Sequence, residues 1–261
     1  MNWLILRGLV REQRHWRNFK PLLSERTQSN VFALDLPGMG TEVNRSSPRT
    51  IHGIMSDIHD RFVILRDSNP DKEWGICCVS LGSMVALQWI SEYPLDFKYA
   101  VITNSSCKPL SPLLKRFKPG NILKIPEFLT STNEYKREKM ILGMTSSMKS
   151  QTELNEIAGE YAKFSPHLPQ FIKTGLAHLI AGSTFIIPKN LENSNAKPVQ
   201  FLIINSLHDT LVDSSCSTII AKYLNASIRT HDHANHDLSL DDPEWFANTI
   251  ATWHKSIKKT S

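Results

Sequence analysis

The chain has 261 residues, of which 41% are hydrophobic and 21% are charged, and its formal net charge is +5. This length suits one domain, or one domain with a sizeable insertion, and it can bury a core without disulfides. The basic residues are scattered, apart from a light cluster at Lys108, Lys115, Arg116 and Lys118, and no arginine-rich arm accompanies them. We therefore expect a solvated basic surface and no nucleic-acid partner.

The cysteines and the first residues indicate a cellular compartment. Cys77, Cys78, Cys107 and Cys216 show no CxxC spacing, which favours reduced, buried thiols. Residues 1–7 lack the basic leader, apolar region and cleavage site of a signal peptide. No apolar run reaches the roughly 20 residues that a membrane span requires. The expectation is a cytoplasmic protein without a membrane span.

Short apolar runs alternate with helical patterns along the chain, which predicts an α/β fold with a mostly parallel sheet and helices on both faces. Six strands are predicted, at residues 3–6, 31–34, 74–79, 99–103, 199–204 and 226–230. Helices are predicted at about 15–28, 49–67, 81–93, 214–224 and 243–257. The last of these begins well, because Asp242 can serve as its N-cap and Pro243 suits the first helical position.

The alternation stops between residues 107 and 197, where prolines interrupt a helix-like sequence and no strand is predicted. We interpret residues 1–106 and 198–261 as the sheet-containing core, and residues 107–197, called the cap segment below, as an inserted helical cap. Its aromatic residues and methionines fit equally well as the core of such a cap or as the wall of an apolar pocket from which water is excluded.

The strand predicted at 74–79 runs directly into a helix, with Ser80 at the junction and Gly82 two residues later. A serine between small residues at this place is typical of a nucleophile elbow, a strained turn that lifts the hydroxyl above the sheet. Cys78 stands where glycine is usual, but cysteine is still small. Two alternatives remain at this stage. Ser80 could be an ordinary helix-capping serine, and Cys78 could be a nucleophile, although its side chain would point into the fold.

An elbow of this kind requires an acid and then a histidine, each after a later strand. Asp209 follows the fifth predicted strand, and His236 follows the sixth. Asp213 follows the same strand as Asp209 and is a rival acid, although it suits the N-cap of the helix that begins near Ser214. We interpret His208 as a loop residue.

A zinc site is the other interpretation of the histidine-rich run, in which His231, His233 and His236 resemble the His-x-His-x-Asp-His motif of metallo-β-lactamase-like hydrolases. Asn235 replaces the aspartate of that motif, and about 25 residues remain after His236 to supply further ligands. We therefore predict no metal ion and no organic cofactor, with zinc as an alternative.

Four segments in this order resemble the α/β-hydrolase family, in its small cytosolic esterase-like branch, from residue 2 to about residue 255 outside the cap segment. Leu6-Arg7-Gly8-Leu9 stands where the family has a His-Gly pair ahead of its oxyanion loop, and Ser80 occupies the elbow. The other two segments are Asp35-Leu36-Pro37-Gly38-Met39-Gly40, similar to the family's Asp-x-Pro-Gly-x-Gly turn, and His236-Asp237-Leu238 with Asp242-Pro243-Glu244-Trp245, similar to its catalytic-histidine segment. The resemblance implies the α/β-hydrolase fold, with the family's first two strands absent or reduced.

The resemblance also implies a role for each site residue. Ser80 would be the nucleophile, His236 the base and Asp209 the acid, with the backbone N–H groups of Leu9 and Leu81 as the oxyanion hole. The implied activity is hydrolysis of a small-molecule carboxylic ester through an acyl-enzyme. Thioesterase or acyltransferase activity with the same triad is an alternative, as is a non-catalytic ligand-binding or scaffolding protein.

Two departures from the family pattern bear on these roles. Arg7 replaces the usual histidine before Gly8, which affects the geometry expected for the Leu9 donor. Asn235 precedes His236 where glycine is common, and asparagine tolerates left-handed backbone angles better than most residues. Neither departure removes a reacting group.

Overall fold

A computed structural model describes residues 1–70, 72–192 and 199–258. Its six strands are β1 (Asn2–Leu6), β2 (Asn30–Ala33), β3 (Trp74–Val79), β4 (Tyr99–Thr103), β5 (Gln200–Ser206) and β6 (Ser227–His231). They form one sheet in the order β2-β1-β3-β4-β5-β6, and every neighbouring pair is parallel. The predicted α/β architecture is therefore confirmed, with a sheet that is parallel throughout.

The helices that flank the sheet are α1 (Phe19–Thr27), α2 (Ile51–Asp67), α3 (Leu81–Glu92), α9 (Ser215–Leu224), the short α10 (Leu238–Asp241) and α11 (Pro243–Lys258). The helix predicted from residue 15 is divided, because Arg17 has a φ of 42° between a 3₁₀ turn at Gln13–Trp16 and α1. Asp242 caps α11 as predicted, since its Oδ1 accepts a hydrogen bond from the Trp245 backbone N–H at 2.9 Å.

Between β4 and β5 the chain forms α4 (Leu113–Arg116), α5 (Ile125–Thr130), α6 (Glu134–Thr145), α7 (Gln151–Ala162) and α8 (Leu168–Thr184). Within residues 107–192 there is no strand, and the sole bridge joins Lys108 to Ile186. The boundary predicted at 197/198 lies outside the described residues. That the cap segment is a separate unit stays an interpretation. None of the helices described is both long and apolar enough to cross a membrane.

The sheet separates two apolar layers, because successive residues of a strand point to opposite faces. Cys77 packs in the layer that contains α1 and α11, whereas Cys78 packs in the layer that contains α2 and α3. Both thiols are fully buried, and burial raises their pKa values. The four cysteines are free thiols, as the sequence predicted.

The parallel arrangement brings the carboxyl ends of the strands to one edge of the sheet. The loops after β1, β3, β4, β5 and β6 therefore meet there, and they carry the residues after Leu6, Val79, Thr103, Ser206 and His231. In parallel α/β sheets this edge is where ligands bind.

Candidate active site

Ser80 lies in a strained turn between β3 and α3. Its φ is 57° and its ψ is −118°, a conformation that residues other than glycine seldom adopt. The turn is held from both sides: the Ser80 N–H donates to the Thr103 carbonyl at 2.8 Å, and the Ser80 carbonyl accepts from the Ser105 hydroxyl at 3.0 Å. Helix α3 begins at the next residue, Leu81, so its free N–H groups lie beside the serine.

The strand and the helix approach closely around this turn. A Cβ atom added to Gly82 would lie 2.5 Å from the Arg7 carbonyl oxygen, so a larger residue would force the backbone apart. A Cβ atom added to Gly8 would lie 3.0 Å from the Ser80 Cβ, which places the loop after β1 against the serine. Cys78, the rival nucleophile, has no exposed surface and a pKa raised by burial, both of which oppose nucleophilic reactivity.

Asp209 and His236 come together at the ends of β5 and β6. The distance from His236 Nδ1 to Asp209 Oδ2 is 2.7 Å, and both residues are buried. The second carboxylate oxygen, Oδ1, accepts from the backbone N–H groups of Leu211 at 2.8 Å and Val212 at 2.9 Å. Because Asp209 is fixed on both oxygens, it fixes the imidazole ring in turn. With Nδ1 donating to the carboxylate, Nε2 is the nitrogen left to accept a proton.

The rival acid is used elsewhere. Asp213 Oδ1 accepts from the Ser215 backbone N–H at 3.1 Å and from the Ser215 hydroxyl at 2.5 Å, at the start of α9. The hydrogen bonds from Ser215 lower the pKa of Asp213. Asp213 is thus the helix cap that its sequence position suggested, and its carboxylate is not the one that contacts His236.

The three histidines of the candidate zinc motif do not converge. His231 Nδ1 accepts from the Ala234 N–H at 2.9 Å, and its Nε2 lies 3.2 Å from Asp242 Oδ2. His236 instead contacts Asp209. Among the described residues, no group of three or more histidine, cysteine or acidic side chains is arranged to hold a metal ion. The zinc alternative therefore has no geometric support.

The loop after β1 carries the predicted oxyanion donor Leu9. A turn closes this loop through a hydrogen bond from the Arg11 N–H to the Gly8 carbonyl at 3.2 Å. Val10 in this turn has a φ of 48°, an unusual value for a β-branched residue. Leu9 and Leu81 both border the same cavity as Ser80.

His178, on α8, supports this strained loop. Its Nδ1 accepts from the Val10 backbone N–H at 3.4 Å, and the imidazole is completely buried. A ring nitrogen can accept that bond only when it is unprotonated. Burial lowers the pKa of His178 to about 4, so the neutral form is present at neutral pH. Sequence analysis missed this residue, since nothing local links a histidine in a helix to a loop far away in the chain.

The neutral state of His178 predicts a pH dependence of stability. In the unfolded chain a histidine titrates near pH 6.5, so between pH 6.5 and 4 the unfolded state binds a proton that the folded state does not. The free energy of unfolding should therefore fall as the pH drops through this window, with a His178 share of about 1 kcal/mol per pH unit. Urea unfolding at several pH values should show a shallower slope for His178→Gln than for the wild type. The exposed His52→Gln is the control, and an unchanged slope in His178→Gln would contradict the expectation.

Arg7, noted in the sequence as a departure from the family pattern, connects two of the site loops. Its guanidinium pairs with the Asp237 carboxylate, with Nη2 to Oδ2 at 2.5 Å and Nη1 to Oδ1 at 3.1 Å, and Nη1 also donates to the Ser239 hydroxyl at 2.6 Å. Burial acts to raise the pKa of Asp237, but the charge and hydrogen bonds of Arg7 outweigh it and the net pKa is lowered. Arg7 precedes Gly8 and Asp237 follows His236, so this pair ties the loop after β1 to the loop that carries His236. The sequence signalled only one member of the pair, because Arg7 departs from the family pattern whereas Asp237 fits it.

The cap segment forms hydrogen bonds with the loops that carry Asp209 and His236. The Lys118 ammonium donates to the backbone carbonyl of Asp209 at 2.6 Å, and the Asp237 N–H donates to the Thr145 carbonyl at 2.8 Å. The Asp241 carboxylate accepts from residues 146–148. The helices between β4 and β5 therefore position the acid and histidine loops in addition to covering the site.

A cavity of about 260 Å³ lies between the sheet edge and these helices. Ser80 and His236 both line it. The rest of its wall is mostly apolar and includes Met84, Ile141, Phe171, Leu179 and Val212. The site is thus a largely apolar pocket that contains a serine in a strained turn and a histidine bonded to a buried carboxylate.

Comparison with known proteins identifies the family and agrees with the fold. The family model described as the alpha/beta hydrolase family matches residues 4–249. Comparison with curated protein sequences finds no match.

Solved structures show the same fold. The 2-hydroxy-6-oxo-6-phenylhexa-2,4-dienoate hydrolase of Rhodococcus sp. strain RHA1 is 18% identical, with a TM-score of 0.78, over 97% of this chain and 90% of that chain. The enol-lactonase of Burkholderia xenovorans LB400 is 14% identical, with a TM-score of 0.75, over 97% and 91%. A thermophilic esterase of Thermogutta terrifontis is 13% identical, with a TM-score of 0.72, over 98% and 90%. The similarity to these structures shows that the fold is shared. The family model matches nearly the whole chain, so the chain belongs to the α/β-hydrolase family.

Proposed function

We propose that the protein is a serine hydrolase that cleaves a carboxylic ester of a small molecule through an acyl-enzyme. The observation that carries this proposal is the 2.7 Å hydrogen bond between His236 and the buried Asp209, in a cavity that also holds Ser80. A buried aspartate that fixes the histidine tautomer, with a serine on a strained turn in the wall of the same cavity, supplies the groups needed to activate a hydroxyl group.

In the proposed reaction, Ser80 Oγ attacks the ester carbonyl carbon while its proton passes to His236 Nε2. Asp209 stabilises the imidazolium that forms. The negative charge on the carbonyl oxygen would be bound by the backbone N–H groups of Leu9 and Leu81. His236 then protonates the leaving alcohol, and a water molecule activated by the same histidine releases the acid from Ser80. The reaction uses side chains and water, with no metal or organic cofactor.

The test is labelling with a fluorophosphonate, which reacts with activated serines. The wild-type protein should be labelled, and Ser80→Ala should not be, because no other hydroxyl is predicted to be activated. Cys78→Ala is the matched control for the rival nucleophile and should still be labelled. Hydrolysis of p-nitrophenyl esters of increasing acyl length, together with one thioester, would then define the substrate class.

Two outcomes would contradict the proposal. If the wild type neither reacts with the probe nor hydrolyses any ester or thioester, the non-catalytic alternative holds. If Ser80→Ala is labelled as fast as the wild type, another residue is the nucleophile.

A further inference from the structure

Three arginines line the cavity, and one of them lacks a counter-ion. Arg7 pairs with Asp237 and Arg11 with Glu138, each at 2.5 Å. No carboxylate in the described parts of the chain lies within 4 Å of Arg116, although only 6% of this residue is exposed. A buried cation is costly unless another charge compensates it. Arg116 is therefore the member of this set whose charge has no ionic partner among the described residues.

The hydrogen bonds of Arg116 satisfy the guanidinium only in part. Nη1 donates to the Ser183 carbonyl at 3.0 Å and Nη2 to the Gly182 carbonyl at 2.5 Å, at the carboxyl end of α8. The partial negative charge of that helix end offsets some of the positive charge. Within the described residues, Nε has no hydrogen-bond partner. Burial lowers the pKa of Arg116, which reflects the same incomplete compensation.

Ser106 supplies an unpartnered hydroxyl group in the cavity wall. It is 1% exposed and lines the cavity, and its hydroxyl has no hydrogen-bond partner among the described residues. Its neighbour Ser105 donates to the Ser80 carbonyl, so Ser106 lies close to the nucleophile turn. Ser106 and Arg116 thus both line the cavity that contains Ser80.

Helix α8 connects Arg116 to the nucleophile turn. The Gly182 carbonyl that accepts from Arg116 belongs to a residue packed on Leu81, since a Cβ added to Gly182 would lie 3.0 Å from Leu81 Cδ1. Leu81 directly follows Ser80. Buried polar groups in native structures nearly always have partners, so each unpartnered group in the cavity wall requires an explanation, and a bound ligand would provide one.

We propose that Arg116 and Ser106 form a subsite for a carboxylate on the acyl part of the substrate, which would make the substrate a half-ester of a short dicarboxylic acid. This inference rests on the proposed function. A guanidinium and a hydroxyl both donate hydrogen bonds, and the planar guanidinium matches a carboxylate. The apolar wall between the subsite and Ser80 suits the methylene spacer. The carboxylate takes no part in bond breaking: water still cleaves the ester to a dicarboxylate and an alcohol through Ser80.

The experiment compares monomethyl esters of succinate, glutarate and adipate with neutral methyl esters in which an isopropyl group replaces the carboxylate. Acid release is followed by titration at pH 7.5. We expect the wild type to favour at least one half-ester by about 10-fold or more in kcat/KM, because a charged hydrogen-bond partner is involved. Arg116→Gln should lose this preference, chiefly through a higher KM, and should hydrolyse the neutral ester within about threefold of the wild-type rate.

Arg116 also binds the end of α8, so its replacement carries a risk of misfolding, and Ser106→Ala provides the second test. The Ser106 hydroxyl has no partner to lose, so this variant should keep the wild-type unfolding temperature and lose several-fold of the preference. Ser111→Ala is the matched control, because Ser111 is also buried but lies outside the cavity wall, and it should keep the full preference.

The outcomes separate this inference from the proposed function. If Ser80 is labelled and the neutral esters are hydrolysed as well as the half-esters, the carboxylate subsite is wrong and the serine hydrolase proposal stands. If Ser80 is not labelled, calorimetric titration with monomethyl glutarate tests the subsite alone. Binding to the wild type that is lost in Ser106→Ala and Arg116→Gln supports it, and the absence of binding overturns it.

Discussion

Asp209→Asn should lower kcat for ester hydrolysis by about 10⁴-fold while changing the unfolding temperature little. The carboxylate oxygen that contacts His236 Nδ1 at 2.7 Å holds the imidazole in the tautomer that leaves Nε2 free to accept the Ser80 proton. An asparagine of the same shape can turn its NH₂ group toward Nδ1, which favours the tautomer with the proton on Nε2. It also removes the negative charge that stabilises the imidazolium. The measurement is kcat and KM on the best ester found, with a decrease in kcat and little change in KM.

The matched control is Asp213→Asn, on the same loop. Asp213 caps α9 through Ser215, so its replacement should cost about 1 kcal/mol of stability and leave kcat within a few-fold of the wild type. If Asp213→Asn loses activity and Asp209→Asn keeps it, the acid has been assigned to the wrong residue. If neither variant changes kcat, the triad proposal itself is wrong.

Arg7→Met should reduce the free energy of unfolding by about 3–5 kcal/mol. The substitution keeps an unbranched apolar stem but removes the guanidinium, so the Asp237 carboxylate is left buried without its bidentate partner; both side chains of this pair are about 5% exposed. The loss should also decrease with falling pH. The folded-state pKa of Asp237 is lowered, so the stability that depends on its ionised form is present above the unfolded-state pKa and is lost as the pH falls through the folded-state pKa. Urea unfolding of both proteins at pH 7 and at acidic pH measures this.

A double-mutant cycle with Asp237→Asn tests whether the two residues act as a pair. The double variant should be more stable than the sum of the two single losses predicts, because neither charge is then left alone. Lys98→Met is the control for an exposed pair: Lys98 and Glu73 are each about half exposed, and this change should cost less than about 1 kcal/mol. Purely additive losses would contradict the expected coupling. Since the pair joins the oxyanion and histidine loops, we also expect Arg7→Met to lower kcat in the fraction that remains folded.

Local sequence patterns predicted much of the fold. Each of the six predicted strands is found within two residues of its expected bounds. The four central strands, β1, β3, β4 and β5, are buried along nearly their whole length, and such a strand is a run of apolar residues that the sequence displays directly. The Asp242 cap and the Ser80 turn were likewise visible, since a few adjacent residues define each feature. The division of the helix predicted from residue 15 was not visible, because it depends on the left-handed backbone of Arg17, an arginine with no local signal.

In the candidate site, too, some features could be predicted from the sequence and others could not. Sequence order alone selected Ser80, Asp209 and His236 as candidates, because chemistry requires those residue types after particular strands. It left Asp213 open as a rival, and the tertiary structure distinguishes the two: Asp209 contacts the imidazole, whereas Asp213 caps a helix.

The sequence by itself determined the alternation of strands and helices and the residue types at the strand ends. Both features depend on residues only a few positions apart in the chain. Only the tertiary structure decided that Arg7 pairs with Asp237, that His178 supports Val10, and that Arg116 lacks a counter-ion within the described ranges. The physical reason is separation along the chain. A buried charge or an imidazole takes its role from whichever groups packing brings within hydrogen-bond distance, and those groups lie between about 60 and 230 residues away in this protein.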